Sequence, residues 1–174
     1  RAMRMFDGAF MYAGGDHIGI GHGSAAGLVQ GRPNTVTNGE VTTTGFFGWG
    51  ISHEIGHQIN QGKIAYAEVT NNIFALLAQT SDDKAAARIE PKYEKIYQKV
   101  TSNTIGKSSD VFTTLAMYWQ LHLAYDDNAT YTDTNSIFAK MNKEMRRTTL
   151  SGFSSDESLI VYASLAAGKD LSEH

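Results

Sequence analysis

Hydrophobic and polar residues repeat with two different periods along this chain. Between residues 17 and 23 the sequence HIGIGHG alternates, with Ile18, Ile20 and His22 on one side and mostly glycine on the other, which predicts a strand. From residue 47 onward apolar residues recur every three or four positions, which predicts helices. Strands followed by helices favour an α+β fold, with a small N-terminal β region and a mainly helical C-terminal lobe.

Several predicted helices have recognisable ends. Pro91 opens one helix, before KYEKIYQKV. Ser154, with Glu157 three residues later, forms a capping box that begins the last helix, and Gly168 ends it. The other predicted helices cover residues 47–60, 67–79, 110–125 and 135–146. The glycine-rich stretch 31–39 is predicted to be loop and turn.

Composition narrows the possible functions. The chain has 174 residues, 41% of them hydrophobic, and a formal net charge of −3, without a basic stripe that would favour nucleic acid. No apolar run approaches the roughly 20 residues of a membrane span. The absence of cysteine excludes disulfides, thiolate catalysis and cysteine-based zinc fingers. The first residue is Arg1, so we interpret the chain as a mature or excised fragment without its signal peptide.

The motif with the clearest chemistry is HExxH at residues 53–57. A spacing of four on a helix places His53 and His57 on one face, where both imidazoles can reach one zinc ion. Glu54 is beside them and is the candidate general base. On the opposite face, Ile51, Ile55 and Ile59 are predicted to enter the core, and Gly56 is expected to allow close packing beside the site.

A catalytic zinc usually has three protein ligands and an open position. The extended HExxHxxGxxH pattern is excluded because Asn60 and Lys63 occupy two of its positions. Glu68, eleven residues after His57 and past a break at residues 61–62, is therefore the predicted third ligand. Asn72, and less strongly Asn71, is predicted to hydrogen-bond the free ring nitrogen of a ligand histidine.

Other residues are candidates for binding the substrate or for stabilising the oxyanion that forms during peptide hydrolysis. Tyr118, His122 and Tyr125 share one helix face and are candidate oxyanion donors, although the same face can simply be buried in the helical lobe. The glycine face of the strand predicted at residues 17–23 has two interpretations. It could leave room for an extended substrate peptide that pairs as an added strand, or it could only allow a helix to pack closely. The candidate substrate-binding residues are Gly19, Gly21, His22 and Trp49.

The segment WGISHEIGHQINQGKIAYAEVTNNIFAL, together with the upstream AGGDHIGIGHG, resembles the enhancin-like zinc metallopeptidases of the gluzincin clan. Its matching residues are His53, Glu54, His57 and Glu68. The resemblance implies a zincin-like fold, one Zn²⁺ and a secreted or surface-attached bacterial enzyme acting on mucin-type O-glycoproteins. It also implies carbohydrate-binding modules elsewhere in the full-length protein.

The sequence thus predicts a zinc peptidase with an active-site region over residues 1–80 and a helical subdomain of the same catalytic domain over residues 81–174. Three alternatives stay open: a general gluzincin endopeptidase or aminopeptidase without a glycan requirement, a non-catalytic glycan-binding module on a zincin scaffold, and a helical domain with a chance motif. The intact Glu54 argues against a binding module, because holding a metal does not require that carboxylate.

Overall fold

The protein is described from a computed structural model. The structure describes residues 2–6, 11–22, 35–37, 40–42, 49–64, 66, 68–79, 88–104, 109–126 and 134–173. Within the part of the chain that it describes, every helix is too short or too polar to cross a membrane.

The chain forms two compact units, and the predicted division into residues 1–80 and 81–174 stays a prediction. The first unit comprises residues 1–60 and 71–90, and the second comprises residues 61–70 and 91–174.

A three-stranded sheet lies in the first unit. Its strands are β1 (Ala2–Phe6), β2 (Met11–Ala13) and β3 (His17–Gly21), in the order β1-β3-β2. The central strand β3 is parallel to β1 and antiparallel to β2. The predicted strand is confirmed, but the expectation that a peptide pairs with it is wrong, because both of its edges are already hydrogen-bonded within the sheet.

A second, two-stranded sheet comprises β4 (Thr35–Thr37) and β5 (Glu40–Thr42). The strands are antiparallel, with Thr37 opposite Glu40. The prediction of loop throughout residues 31–39 is therefore wrong for the three residues of β4. The Asn38-Gly39 pair that the sequence suggested as a turn lies outside the described residues.

Helix α1 (Ile51–Ile59) packs near the sheet through Ile51, which belongs to a buried hydrophobic cluster. The cluster comprises Met11, Ile18, Ile20 and Ile51. Ile55 and Ile59, which were predicted to enter the core together with Ile51, are 42% and 46% exposed, so the prediction is wrong for these two residues. The helix instead buries Glu54 and Gly56. The helix takes this orientation because Gly56 packs closely against the backbone of Asn71. The spacing of apolar residues along α1 does not reveal such a contact.

Helix α2 (Asn72–Gln79) begins five residues later than the sequence predicted. Residues 68–71 form a turn, in which the backbone N–H groups of Val69 and Thr70 donate to Tyr66 O at 3.0 and 3.1 Å. The Thr70 hydroxyl also accepts from Tyr66 N at 3.0 Å. Such side-chain bonds to nearby backbone compete with helix formation, which explains the late start.

The second unit contains four α-helices among its described residues. They are α3 (Tyr93–Thr101), α4 (Val111–Tyr125), α5 (Ile137–Arg147) and α6 (Ser155–Ala167). The bounds agree with the predicted helices within one or two residues. For α6 the predicted ends are confirmed: Ser154 and Glu157 form the capping box, and Gly168 ends the helix with φ of 66°.

Cap contacts and aromatic packing fix the helices of this unit. The Lys63 ammonium donates to Met145 O at 2.6 Å and to Thr148 O at 2.9 Å, at the C-terminal end of α5. Trp119 is buried and stacks on Phe138 with ring centroids 6.0 Å apart. The indole of Trp119 therefore serves the core.

Asp110 begins α4 and offers a test of pH dependence. Its side chain accepts from the backbone of Phe112 and Thr113, and Lys92 Nζ lies 2.7 Å from its carboxylate. The hydrogen bond from Lys92 is the largest cause that lowers the pKa of Asp110 to about 2. Because the folded pKa is lower than the unfolded value of about 3.9, this stabilisation is present above that value. It is lost as the pH falls from about 4 through about 2.

We expect Asp110→Ala to lower the free energy of unfolding by about 1–2 kcal/mol at pH 7, through loss of the helix cap. Asp110→Asn keeps the cap and loses only the ion pair, so it should lose less unfolding free energy than Asp110→Ala. The difference in unfolding free energy between the wild type and Asp110→Asn should decrease as the pH falls from 5 to 2. Urea denaturation at several pH values measures both. A deficit of Asp110→Asn that does not change with pH would contradict the assignment to the ion pair.

Candidate metal centre

Two histidines on α1 bring their ring nitrogens together. His53 Nε2 and His57 Nε2 lie 3.2 Å apart, and the ring planes are nearly perpendicular, at 87°. Two ligands of a tetrahedral zinc ion, each about 2.0–2.1 Å from the metal, lie about 3.3 Å apart. The pair therefore has the separation of two ligands on one ion, as the one-turn spacing on the helix requires.

Glu54 completes a cluster of metal-binding side chains on the same helix. One ligand atom from each of His53, Glu54 and His57 lies within 4.8 Å of the other two. Glu54 is buried, with 7% exposure. A buried carboxylate needs polar or cationic partners, and a divalent ion beside the two imidazoles would supply one.

Asn72, the first residue of α2, contacts His53. Its Oδ1 lies 2.6 Å from His53 Nδ1, so the ring donates its Nδ1–H to the amide oxygen. A histidine protonated at Nδ1 keeps the lone pair on Nε2, the atom that faces His57. The contact thus selects the tautomer that a metal ligand needs, and the role of Asn72 beside a bound metal stays a prediction.

Asn71 contacts both histidines. Its Nδ2 lies 3.1 Å from His57 Nε2, 3.4 Å from His53 Nε2 and 3.3 Å from His53 Nδ1. The sequence ranked Asn72 above Asn71, whereas the structure places both amides against the imidazoles. The signal available in the sequence was the polar pair Asn71-Asn72 at the start of an otherwise apolar helix, since buried amides need partners.

Gly56 allows the turn that carries these amides to approach α1. A Cβ added at Gly56 would lie 2.2 Å from Asn71 O and 2.9 Å from Asn71 C, closer than any side chain tolerates. Only glycine fits where backbone meets backbone this closely. The close packing expected at Gly56 is therefore confirmed.

Glu68, the predicted third ligand, lies in the turn before α2. Its side chain is exposed, and its φ of 62° is in the left-handed region, which residues other than glycine seldom adopt. Glu68 belongs to the second compact unit, whereas His53, Glu54 and His57 belong to the first. Its role as a ligand stays a prediction.

Trp49 lies four residues before His53 and is half-buried. The guanidinium of Arg88 lies 4.2 Å above its ring centroid, the geometry of a cation–π contact. Burial lowers the pKa of Arg88 from its ordinary value, although a guanidinium keeps its charge at neutral pH. No sequence signal pointed to Arg88, because the contact joins residues 39 positions apart.

The glycine side of β3 is covered at Gly19. A Cβ added there would lie 1.9 Å from Tyr12 Cε1, so the tyrosine ring lies directly across this glycine. Tyr12 in turn donates to His17 Nε2 at 2.9 Å, and His17 Nδ1 lies 2.6 Å from Asp16 Oδ1. The room expected for a peptide or glycan at Gly19 is thus occupied by an aromatic ring.

The remaining substrate candidates of this strand differ in exposure. Gly21 is buried, and His22, expected to share the side of Ile18 and Ile20, is exposed beyond the strand end. Substrate contact by Gly19, Gly21, His22 or Trp49 stays a prediction.

The three candidate oxyanion donors lie on α4 in the second unit. Tyr118 is buried, whereas His122 and Tyr125 are half-buried. His122 Nδ1 lies 2.6 Å from Asp126 Oδ2, and its ring centroid lies 4.5 Å from that of Trp119. These contacts fix the His122 ring, and its part in catalysis, like that of the two tyrosines, stays a prediction.

The donor set fits a zinc ion. It offers two imidazole nitrogens at ligand spacing, one ring fixed by Asn72, and a carboxylate within 4.8 Å of both. His53 and His57 would hold the ion, and Glu54 would stand beside it.

The comparisons with known proteins agree with this geometry. The sequence profile of peptidase M60, enhancin and enhancin-like, matches residues 1–174. The chain belongs to this family. The resemblance to enhancin-like metallopeptidases is therefore confirmed. A metal is implied by membership in this M60 family of metallopeptidases.

Solved structures, among them an M60 catalytic domain, share the fold. The M60 catalytic domain of Clostridium perfringens ZmpC, in complex with the sialyl T antigen, is 25% identical, with a TM-score of 0.64, over 98% of this chain and 32% of that one. The ZmpB metallopeptidase from Clostridium perfringens is 27% identical, with a TM-score of 0.64, over 97% and 31%. A functionally unknown conserved protein from Bacillus anthracis, 23% identical, has a TM-score of 0.63 over 97% and 33%.

These likenesses confirm the expected α+β, zincin-like metallopeptidase fold. The M60 chain described here spans about a third of the length of the solved structures that it matches. No curated protein matches its sequence significantly.

Proposed function

We propose that this chain carries the catalytic site of a zinc metallopeptidase that hydrolyses peptide bonds in mucin-type O-glycosylated proteins. The observation that carries the proposal is the 3.2 Å approach of His53 Nε2 to His57 Nε2, with Glu54 beside them. Membership in the M60 peptidase family supports the same reaction class.

The chemistry follows from the positions of the three side chains. A zinc ion bound there would polarise the scissile carbonyl and lower the pKa of a water. Glu54 would accept a proton from the attacking water and deliver it to the leaving amine. Asn72 would keep His53 in the required tautomer through its 2.6 Å contact with Nδ1.

Glu68 is proposed as the third ligand, on the strength of its position after the motif and the family resemblance. The donor to the developing oxyanion is proposed to come from Tyr118, His122 or Tyr125. His122 is the candidate whose ring is fixed by a partner, since Nδ1 donates to Asp126, and its Nε2 would donate to the oxyanion from a ring protonated on both nitrogens.

Glycoprotein substrates are proposed from two observations. The ZmpC catalytic domain was solved with a sialyl T antigen. In this chain the half-buried Trp49, four residues before His53, has the Arg88 guanidinium 4.2 Å from its ring centroid, and an aromatic ring next to a cation suits a sugar with an acidic substituent. Secretion or surface attachment in a bacterium, and carbohydrate-binding modules in the full-length protein, belong to the same proposal.

The test compares an O-glycosylated mucin peptide with the same peptide without glycan. We expect the purified, zinc-loaded protein to cleave the glycopeptide at least tenfold faster, as followed by mass spectrometry of the products. His57→Ala and protein stripped of metal should be inactive, because the chemistry needs the ion.

Each other outcome selects an alternative. Equal cleavage of both peptides would contradict the glycan requirement and favour a general endopeptidase. Release of single N-terminal residues would favour an aminopeptidase. Glycan binding without cleavage of either peptide, by protein that holds zinc, would favour a binding module.

A further inference from the structure

Lys63 lies between the second histidine of the motif and Glu68. It occupies the position at which the extended HExxHxxGxxH pattern has its third histidine. Its ammonium group instead contacts the C-terminal end of α5, where it donates to Met145 O at 2.6 Å, to Thr148 O at 2.9 Å and to Thr149 Oγ1 at 3.4 Å. These acceptors lie 82 to 86 positions further along the chain, so Lys63 attaches the segment after α1 to α5.

The C-terminal end of α5 suits an ammonium group. The last carbonyls of a helix have no N–H partner within it and form the negative end of the helix dipole. An ammonium group has three N–H donors, and its charge strengthens its bonds to such carbonyls. Lys63 therefore fixes its own turn, residues 61–64, in which Ile64 is buried and donates its N–H to Gln61 O at 3.1 Å.

The backbone of Glu68 needs support from its surroundings. Its φ of 62° is costly for a residue with a Cβ and persists only where neighbouring contacts determine it. After Glu68, Val69 and Thr70 are buried, with 1% exposure each, and their N–H groups donate to Tyr66 O. Before it, the bonds of Lys63 hold the turn of residues 61–64. Glu68 thus lies between two attachments, one local and one to α5.

We propose that Lys63 is a positioning residue for Glu68, because it attaches the segment that carries this carboxylate to the end of α5. Lys63, Glu68 and α5 all belong to the second compact unit. The inference rests on the proposed function, in which Glu68 is the third zinc ligand. Lys63 acts through Glu68 and not as a ligand, because an ammonium group has no lone pair for a cation. Without its bonds, zinc binding would have to order the segment, and that ordering costs conformational entropy.

The test measures the zinc affinity of the full chain by competition with a chromophoric chelator, in a double-mutant cycle with Glu68→Ala. We expect Lys63→Met, which keeps a long side chain but removes the charge and the donors, to weaken zinc binding about tenfold. In the Glu68→Ala background the same change should have no further effect, because the ligand that Lys63 positions is already lost. Lys63→Arg, which keeps a cation with several N–H donors, should restore most of the affinity.

The matched control is Tyr162→Phe. The Tyr162 hydroxyl donates to Thr148 O at 2.8 Å, an oxygen that Lys63 also contacts. Its removal weakens the same end of α5 and leaves the bonds of Lys63 in place. We expect both Tyr162→Phe and Lys63→Met to lower the unfolding free energy, and only Lys63→Met to lower the zinc affinity.

Three results would overturn the proposal. The first is wild-type zinc affinity in folded Lys63→Met. The second is equal weakening by Lys63→Met with and without the Glu68 carboxylate, because such an effect does not pass through that side chain. The third is a loss of zinc affinity in Tyr162→Phe as large as in Lys63→Met. If Lys63→Met does not fold, Lys63→Gln, which is neutral but keeps an N–H donor group, replaces it in the cycle and is judged by the same results.

The failure of the proposed function would look different. A wild-type protein that binds no zinc would remove the metallopeptidase proposal together with this inference. Zinc binding that is unchanged in Glu68→Ala would remove the roles of Glu68 and Lys63 and leave the site at His53 and His57. Zinc binding that weakens in Glu68→Ala but not in Lys63→Met would remove only the role of Lys63.

Discussion

Glu54→Gln is expected to lower peptide cleavage by roughly three orders of magnitude, within the range for loss of a general acid–base group. Glutamine keeps the size of the buried side chain but cannot take a proton from water. The two imidazole nitrogens, 3.2 Å apart, are unchanged, so the variant should still hold one zinc ion. Turnover of the glycopeptide and zinc content by mass spectrometry are the two measurements.

The control for this variant is Glu94→Gln, the same chemical change on the exposed face of α3, where Glu94 accepts a hydrogen bond from Gln98 at 2.9 Å. It should keep full activity. Retained turnover in Glu54→Gln would eliminate Glu54 as the base, and loss of zinc together with activity would show instead that its carboxylate holds the metal.

Gly56→Ala is expected to damage the metal site through the backbone. In an ordinary helix this change would stabilise by about 1 kcal/mol. Here the new Cβ would lie 2.2 Å from Asn71 O, and because that atom is backbone, the turn before α2 must move away from α1. The 2.6 Å contact between Asn72 and His53 would be lost or lengthened with it.

We expect this variant to lose about 1–3 kcal/mol of unfolding free energy and to bind zinc about 10–100-fold more weakly. Chemical denaturation and chelator competition measure the two effects. The matched control is Gly62→Ala, where nothing lies within 4 Å of the added Cβ, and we expect little change. Wild-type zinc affinity in Gly56→Ala would show that the packing at Asn71 does not position the histidines.

Local chemistry made much of the fold predictable. The α6 ends were predicted because Ser154, Glu157 and Gly168 satisfy helix termini within their own segment. The start of α2 was predicted wrongly, because hydrogen bonds between Tyr66 and Thr70 form a turn there, and the periodicity of apolar residues does not reveal this turn. The two-stranded sheet was missed for a different reason, since three residues such as Thr35–Thr37, with one apolar residue between two threonines, are too few for an alternating pattern to be recognised.

Burial was harder to predict than secondary structure. Ile55 and Ile59 have the spacing of a core face, yet they are exposed, and Glu54 is buried instead. Hydrophobic spacing shows which residues share a face, but the neighbouring segments decide which face is covered. At α1 the covered face is set by Gly56, which allows the Asn71 backbone to come close.

The sequence by itself determined the candidate metal-binding pair, because helix geometry brings His53 and His57 to one face whatever the rest of the chain does. Only the tertiary structure decided what surrounds them: the amides of Asn71 and Asn72 against the rings, and Arg88 over Trp49. These contacts join residues 14 to 39 positions apart in the chain. Their formation depends on how separate segments pack, which no local pattern of residue types records.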